Sequence, residues 1–109
     1  MKASDTRDPR STGHRQRLRE RFMRAGLQGF AEHEVLELIL TLAIPRRDVK
    51  PQAKDLLEKF GSVRGVLDAP RERLRSVEGI GDVAITALGI IKAVAEVYVR
   101  QGVESSLDR

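Results

Sequence analysis

The chain has no cysteine and no tryptophan, and only one tyrosine, three phenylalanines and two histidines among 109 residues. Without thiols, neither a disulfide nor a thiolate metal site can hold it together, and a reducing compartment is permitted. Two histidines with no accompanying carboxylate or thiolate set do not make a metal centre, so no metal and no cofactor is expected. The scarcity of aromatics leaves no platform for stacking unpaired bases. No apolar run reaches the roughly 18–20 residues a membrane span needs. Met1 to Gln16 is polar throughout and lacks the apolar core of a signal peptide, so the expected location is cytoplasmic, with no membrane partner.

Positive charge is present in excess, and its placement matters more than its amount. Residues 1–30 carry eight basic side chains (Lys2, Arg7, Arg10, Arg15, Arg17, Arg19, Arg21, Arg24) against three acidic ones, a net of +5. The remaining residues carry twelve basic against thirteen acidic, a net of −1, which completes the chain's +4. A field concentrated at one end steers polyanions toward it. A solvated helix face would look the same in sequence.

The stretch Glu78-Gly79-Ile80-Gly81-Asp82 organises the chain. Two glycines around one aliphatic residue permit a tight reversal between helices, with Ile80 turned inward. Leu74 and Val77 lead in, and Ala84, Ala87, Leu88, Ile91, Ala95 and Tyr98 lead out at helical spacing. Such a corner aims backbone N–H groups and a helix N-terminus outward, which suits anions. Gly79, Ile80, Gly81 and Val83 are therefore candidate phosphate contacts. Asp82 and Glu78 place negative charge where a phosphate would sit, and no lysine follows the second glycine.

Taken in order, Met1 to Arg10 reads as a disordered basic tail, extending to about residue 11. Ser11 or Thr12 is expected to cap a helix running to Ala25, with Gly26 as its stop. On that helix Leu18 and Phe22 share a face. Glu32 to Ile44 is apolar nearly all round and predicts the central core helix, with Glu34 and Glu37 on a solvated edge. Pro45, Arg46, Arg47 and Asp48 interrupt it. The next helix begins near Val49 to Pro51 and runs to Phe60, burying Val49, Ala53, Leu56, Leu57 and Phe60. Gly61 ends it, Ser62 caps a short helix to Asp68, and Pro70 opens the helix that enters the corner. The last helix is expected to end near Arg100 or Gln101, with Gly102 as stop and residues 102–109 as linker or frayed end.

This order contains a weak internal repeat: helix, break at Pro45 to Asp48, helix; then a connector; then helix, break at Glu78 to Gly81, helix. Paired corners on one side suit the two phosphate strands of a duplex. The first corner lacks glycine but carries Arg46, Arg47 and Lys50.

The runs GHRQRLRERFMRAG, EVLELIL, LLEKFGSVRGVLDA and LRSVEGIGDVAITAL, in this order, resemble the N-terminal domain of RadC-family bacterial proteins over about residues 13–100. From Leu56 onward the chain is also similar, less closely, to the tandem helix-hairpin-helix domains of nucleotide-excision nucleases. The RadC resemblance implies an all-α, tandem helix-hairpin-helix fold and an association with DNA repair. It also implies a C-terminal metalloprotease-like domain of JAB/MPN type. The His-x-His pattern of that domain is not found among two histidines 19 positions apart, so no catalytic residue carries over. Either a free-standing accessory domain or a piece of a larger protein is expected.

The expected fold is a compact five- to six-helix bundle, SAM/RuvA-domain-like, with a degenerate first hairpin. The expected function is non-catalytic, sequence-independent binding of duplex or branched DNA. Gly79, Gly81 and Val83 would hold one strand, Arg46, Arg47 and Lys50 the other, with Arg15, Arg17, Arg19 and Arg21 adding attraction. The alternative is a protein-interaction module that docks a partner or a metalloprotease-like domain, through Leu27, Phe30 and Val103.

Overall fold

A computed structural model describes residues 9–107, with side chains from residue 13 onward. Six helices follow one another, and no strand occurs among the described residues. They are α1 (Pro9–Ala25), α2 (Glu32–Ala43), α3 (Lys50–Phe60), α4 (Val63–Asp68), α5 (Arg71–Arg75) and α6 (Asp82–Leu107). The all-α helical expectation holds. Of the expected disordered tail, residues 1–8 lie outside the described residues, while Pro9 already belongs to α1.

The core forms where short helices with apolar stripes meet around α2 and α3. Leu36 and Leu40 of α2 pack against Ala53 and Leu56 of α3, with Val66, Leu74, Ala84, Ile85 and Leu88 closing the cluster. Each large aliphatic buried this way contributes about 1.5–3 kcal/mol by transfer from water. The periodicity of α2 overstated its burial, because Leu42 points to solvent. On α1, Leu18 is buried while Phe22 and Met23 are exposed.

The punctuation follows local chemistry. Gly61 adopts a left-handed conformation and its N–H returns to the Leu57 carbonyl at 2.7 Å, ending α3. The Ser62 side chain then accepts from the Gly65 N–H at 2.9 Å, capping α4. Gly65 is required by close approach: a Cβ there would lie 2.1 Å from the Phe60 carbonyl oxygen.

Two expectations for α6 fail. Gly102 does not stop it, and the helix continues to Leu107. Glycine costs about 1 kcal/mol within a helix but forbids nothing, and a stop also needs the chain to fold back onto a partner. The bundle supplies none there. At 26 residues, α6 is ~39 Å long at 1.5 Å per residue and outruns the core. Ala84, Ile85 and Leu88 are buried, Ile91 is half-buried, and Ala95 and Tyr98, placed by periodicity on the core stripe, are exposed.

Candidate nucleic-acid interface

Two corners were singled out by sequence, and α3 joins them. The first corner, residues 44–49, leads directly into the N-terminus of α3. The second, residues 76–81, leans on the side of the same helix. Gln52, in the first turn of α3, lies so close to Gly79 that a Cβ on Gly79 would sit 2.6 Å from Gln52 Nε2. Further along α3, Lys59 Nζ donates to the Ser76 hydroxyl at the start of the second corner. The two corners are thus neighbours on one strut.

The second corner is built as its sequence demands. Gly79 has φ of 87°, in the left-handed region that favours glycine. Ile80 is buried and turns inward against the core. Gly81 has no such requirement: its φ is unexceptional and a Cβ would meet open space. Among the described residues, no backbone acceptor pairs with the N–H of Gly79, Gly81 or Val83. These donors face solvent at the start of α6, where the helix dipole is positive. Asp82 at that helix start is paired with Arg75 Nη2 at 2.5 Å, which offsets its charge. On the α3 side, Asp55, Glu58 and Glu78 share a shallow hollow of about 370 Å³ with Lys59. That flank is acidic.

The first corner reaches a similar reversal with other materials. Arg46, not a glycine, takes the left-handed conformation at φ of 65°. Val49 is the buried aliphatic, and the Asp48 carboxylate accepts the N–H of Lys50, the first residue of α3, at 3.0 Å in a local turn. Arg46, Arg47 and Lys50 are all exposed. Here the cations are side chains and the helix end is already occupied by Asp48.

The arginines of α1 divide into two groups. Arg15, expected among the attracting cations, is only 9% exposed. Its Nη1 donates to the Thr41 carbonyl at 2.9 Å, and its Nη2 to the carbonyls of Ile44 and Arg47, the latter at 2.6 Å. A guanidinium fork satisfies the open C-terminal carbonyls of α2 and pins the first corner to α1. Burial lowers its pKa, with Arg19 adding to the effect and Asp48 opposing it. Arg15 therefore cannot meet a phosphate without releasing the corner. Arg21 is half-committed: it pairs with Glu34 at 2.9 Å and lies 4.3 Å above the Phe30 ring. Of the three apolar residues of the docking alternative, Phe30 is half-buried under that contact, while Leu27 and Val103 are exposed. Arg17 and Arg19 remain exposed.

The expected solvated edge of α2 does not exist as such. Glu37 is fully buried and is hydrogen-bonded to His14 Nε2 at 2.5 Å, with His33 Nε2 3.5 Å from its other oxygen. Glu34 accepts from Arg21 and from the Ala31 N–H at 3.0 Å, and these bonds hold its pKa down at about 2. The pairings of Glu37 with His14, of Glu34 with Arg21 and of Gln52 with Gly79 are not legible in the sequence, since these partners lie 13 to 27 residues apart along the chain. No group of three or more metal-binding side chains is arranged to hold an ion among the described residues. No helix among them is long and apolar enough to cross a membrane.

Comparison with known proteins places this architecture. The family model for the UPF0758 N-terminal region matches residues 10–86. A UPF0758 protein of Fusobacterium nucleatum is 49% identical over 79 residues, covering 72% of this chain and 34% of the relative. One from Ruegeria pomeroyi is 52% identical over 82 residues, covering 75% and 37%. One from Rhodobacter capsulatus is 46% identical over 86 residues, covering 79% and 40%. The chain thus spans little more than a third of the length of these relatives, and no solved structure matches it. By the family model and by these relatives, the chain belongs to the UPF0758 family, the RadC-like proteins, and corresponds to their N-terminal region.

Proposed function

We propose that this chain is a non-catalytic DNA-binding domain that grips backbone phosphates with two adjacent helical corners, a tandem helix-hairpin-helix in which the first hairpin is degenerate. The observation that carries the reading is the contact of Gln52 with Gly79, which brings both corners onto α3. Arg46, Arg47 and Lys50 supply charge, and the open N–H groups of Gly79, Gly81 and Val83 supply directed donors. Arg17 and Arg19 add attraction from α1. Arg15 leaves the set of direct contacts and becomes the residue that positions the first corner. No base-edge reader is evident among these groups, so the binding is independent of sequence.

The acidic hollow beside the second corner makes the first corner the stronger electrostatic contributor. Fluorescence anisotropy of labelled duplex and branched DNA across a salt series tests this. Affinity should fall with a log-log slope of about −0.9 per phosphate contacted. Arg46→Glu/Arg47→Glu should abolish binding while circular dichroism and melting remain those of the parent. A slope near zero, or unchanged affinity in the double variant, would contradict the reading. Docking of a partner protein is the second reading, and the unpacked distal half of α6 favours it.

A further inference from the structure

Outside the corners, the most conspicuous surface is α6 itself. Its buried contacts end at Leu88, yet the helix continues for nearly twenty residues and stays apolar. One face, opposite the core, holds Val83, Ile90, Val94 and Val97, and Leu107, five helical turns beyond Gly89, lies on that residue's side of the helix. Ile90 is 57% and Leu107 78% exposed. Together these side chains present an apolar patch of roughly several hundred Å², the scale at which exposed patches are often interaction sites. Beside that face lies a groove of about 570 Å³ between α5 and α6. Arg71 and Arg75 line one wall, and Thr86, Gly89, Ile90 and Ala93 form its floor.

We propose that a second copy of this chain occupies this surface, with the two α6 helices packed antiparallel about a twofold axis near Ala95. The register follows from the residues. An antiparallel overlap centred there sets Leu107 of one copy beside Val83 of the other, and Val97 beside Ala93. It sets Glu104 beside Thr86, at the groove walled by Arg71 and Arg75. The same pairings repeat across the axis, as a closed dimer requires. Gly89 and Ala93 let the backbones approach without side chains between them. Arg75 already neutralises Asp82, which leaves Arg71 as the principal free cation for Glu104 among the groove residues. The proposal rests on other groups than the DNA reading, Val83 apart, whose side chain meets the second copy while its N–H is the donor proposed for phosphate; most of this surface lies beyond residue 86, where the family model's match ends.

Sedimentation equilibrium of the 109-residue chain from about 1 to 200 µM tests it by mass action. The expected result is a monomer–dimer equilibrium between 12.2 kDa and twice that mass. Val94→Glu/Val97→Glu should leave the monomer at every concentration, with helicity retained because both positions are exposed. Glu104→Arg should weaken dimerisation at least tenfold, and adding Arg71→Glu to it should recover most of the loss. A parent chain that stays at 12.2 kDa up to about 200 µM overturns the proposal. So does a dimer insensitive to both the valine pair and Glu104→Arg, since it would use another surface.

Discussion

The two corners solve one geometric problem with different chemistry. The second spends glycine on it: Gly79 takes the left-handed turn freely, Ile80 plugs the core and Gly81 leaves its N–H open. The first places an arginine in the left-handed region, plugs with Val49, and holds the first N–H of the following helix with Asp48. What the first corner loses in open backbone donors it gains in side-chain cations. It is also held from outside, because Arg15 satisfies the carbonyls around it. A corner with its own glycines is self-sufficient, whereas one without them depends on a distant residue. The register differs too: the left-handed residue directly precedes the plug in the second corner but stands three residues before it in the first.

The largest effect expected from breaking this contrast is at the plug of the second corner. Ile80→Ala should cost about 2–4 kcal/mol by transfer and cavity terms, measured by urea denaturation. Arg15→Ala comes next, at about 2–3 kcal/mol, because it strands three carbonyl groups near the first corner. That variant should also weaken DNA binding although Arg15 touches no phosphate, and a loss of binding without loss of stability would show it to be a direct contact instead. Gly79→Ala should destabilise by about 1–2 kcal/mol through its backbone conformation. Gly81→Ala should change melting by no more than about 0.5 kcal/mol, despite the apparent symmetry of the two glycines. Arg46→Gly should stabilise the fold by about 0.5–1 kcal/mol by relieving a left-handed non-glycine residue, while reducing DNA affinity.

The junction of α1 and α2 gives a smaller, pH-dependent check outside both corners. Glu34 has a folded pKa of about 2 against an ordinary 4.5, a depression caused first by its bond to Arg21. Its contribution is therefore complete above pH 4.5 and is lost as pH falls toward 2. Glu34→Gln should make stability fall less steeply over that window in thermal melts.

How much of this was legible depends on where the partners lie. Local rules sufficed for the helix order, the Gly61 stop, the Ser62 cap and the inward Ile80, since each depends on neighbours within a few residues. Long-range polar pairings escaped. Arg15 looked like one more surface arginine because Thr41, Ile44 and Arg47 are 26 to 32 residues away, and nothing in the run RQRLRER marks one arginine as buried. Glu37 looked solvated because helical periodicity sees one helix at a time, and the covering side chain, His14, comes from another. The length of α6 was underestimated because Gly102 was read as a stop without asking what the chain would turn back onto. Candidate site residues on the corners were locatable, but that α3 joins them through Gln52 was not.

The central claim is that the corners act as one phosphate-binding surface. Amide chemical-shift mapping by NMR during a duplex titration tests this most directly. Shifts at Arg46, Arg47 and Lys50 should appear together with those at Gly79, Gly81 and Val83, saturate at one DNA concentration, and vanish together in high salt. Shifts confined to one corner, or centred on the distal half of α6, would contradict the account.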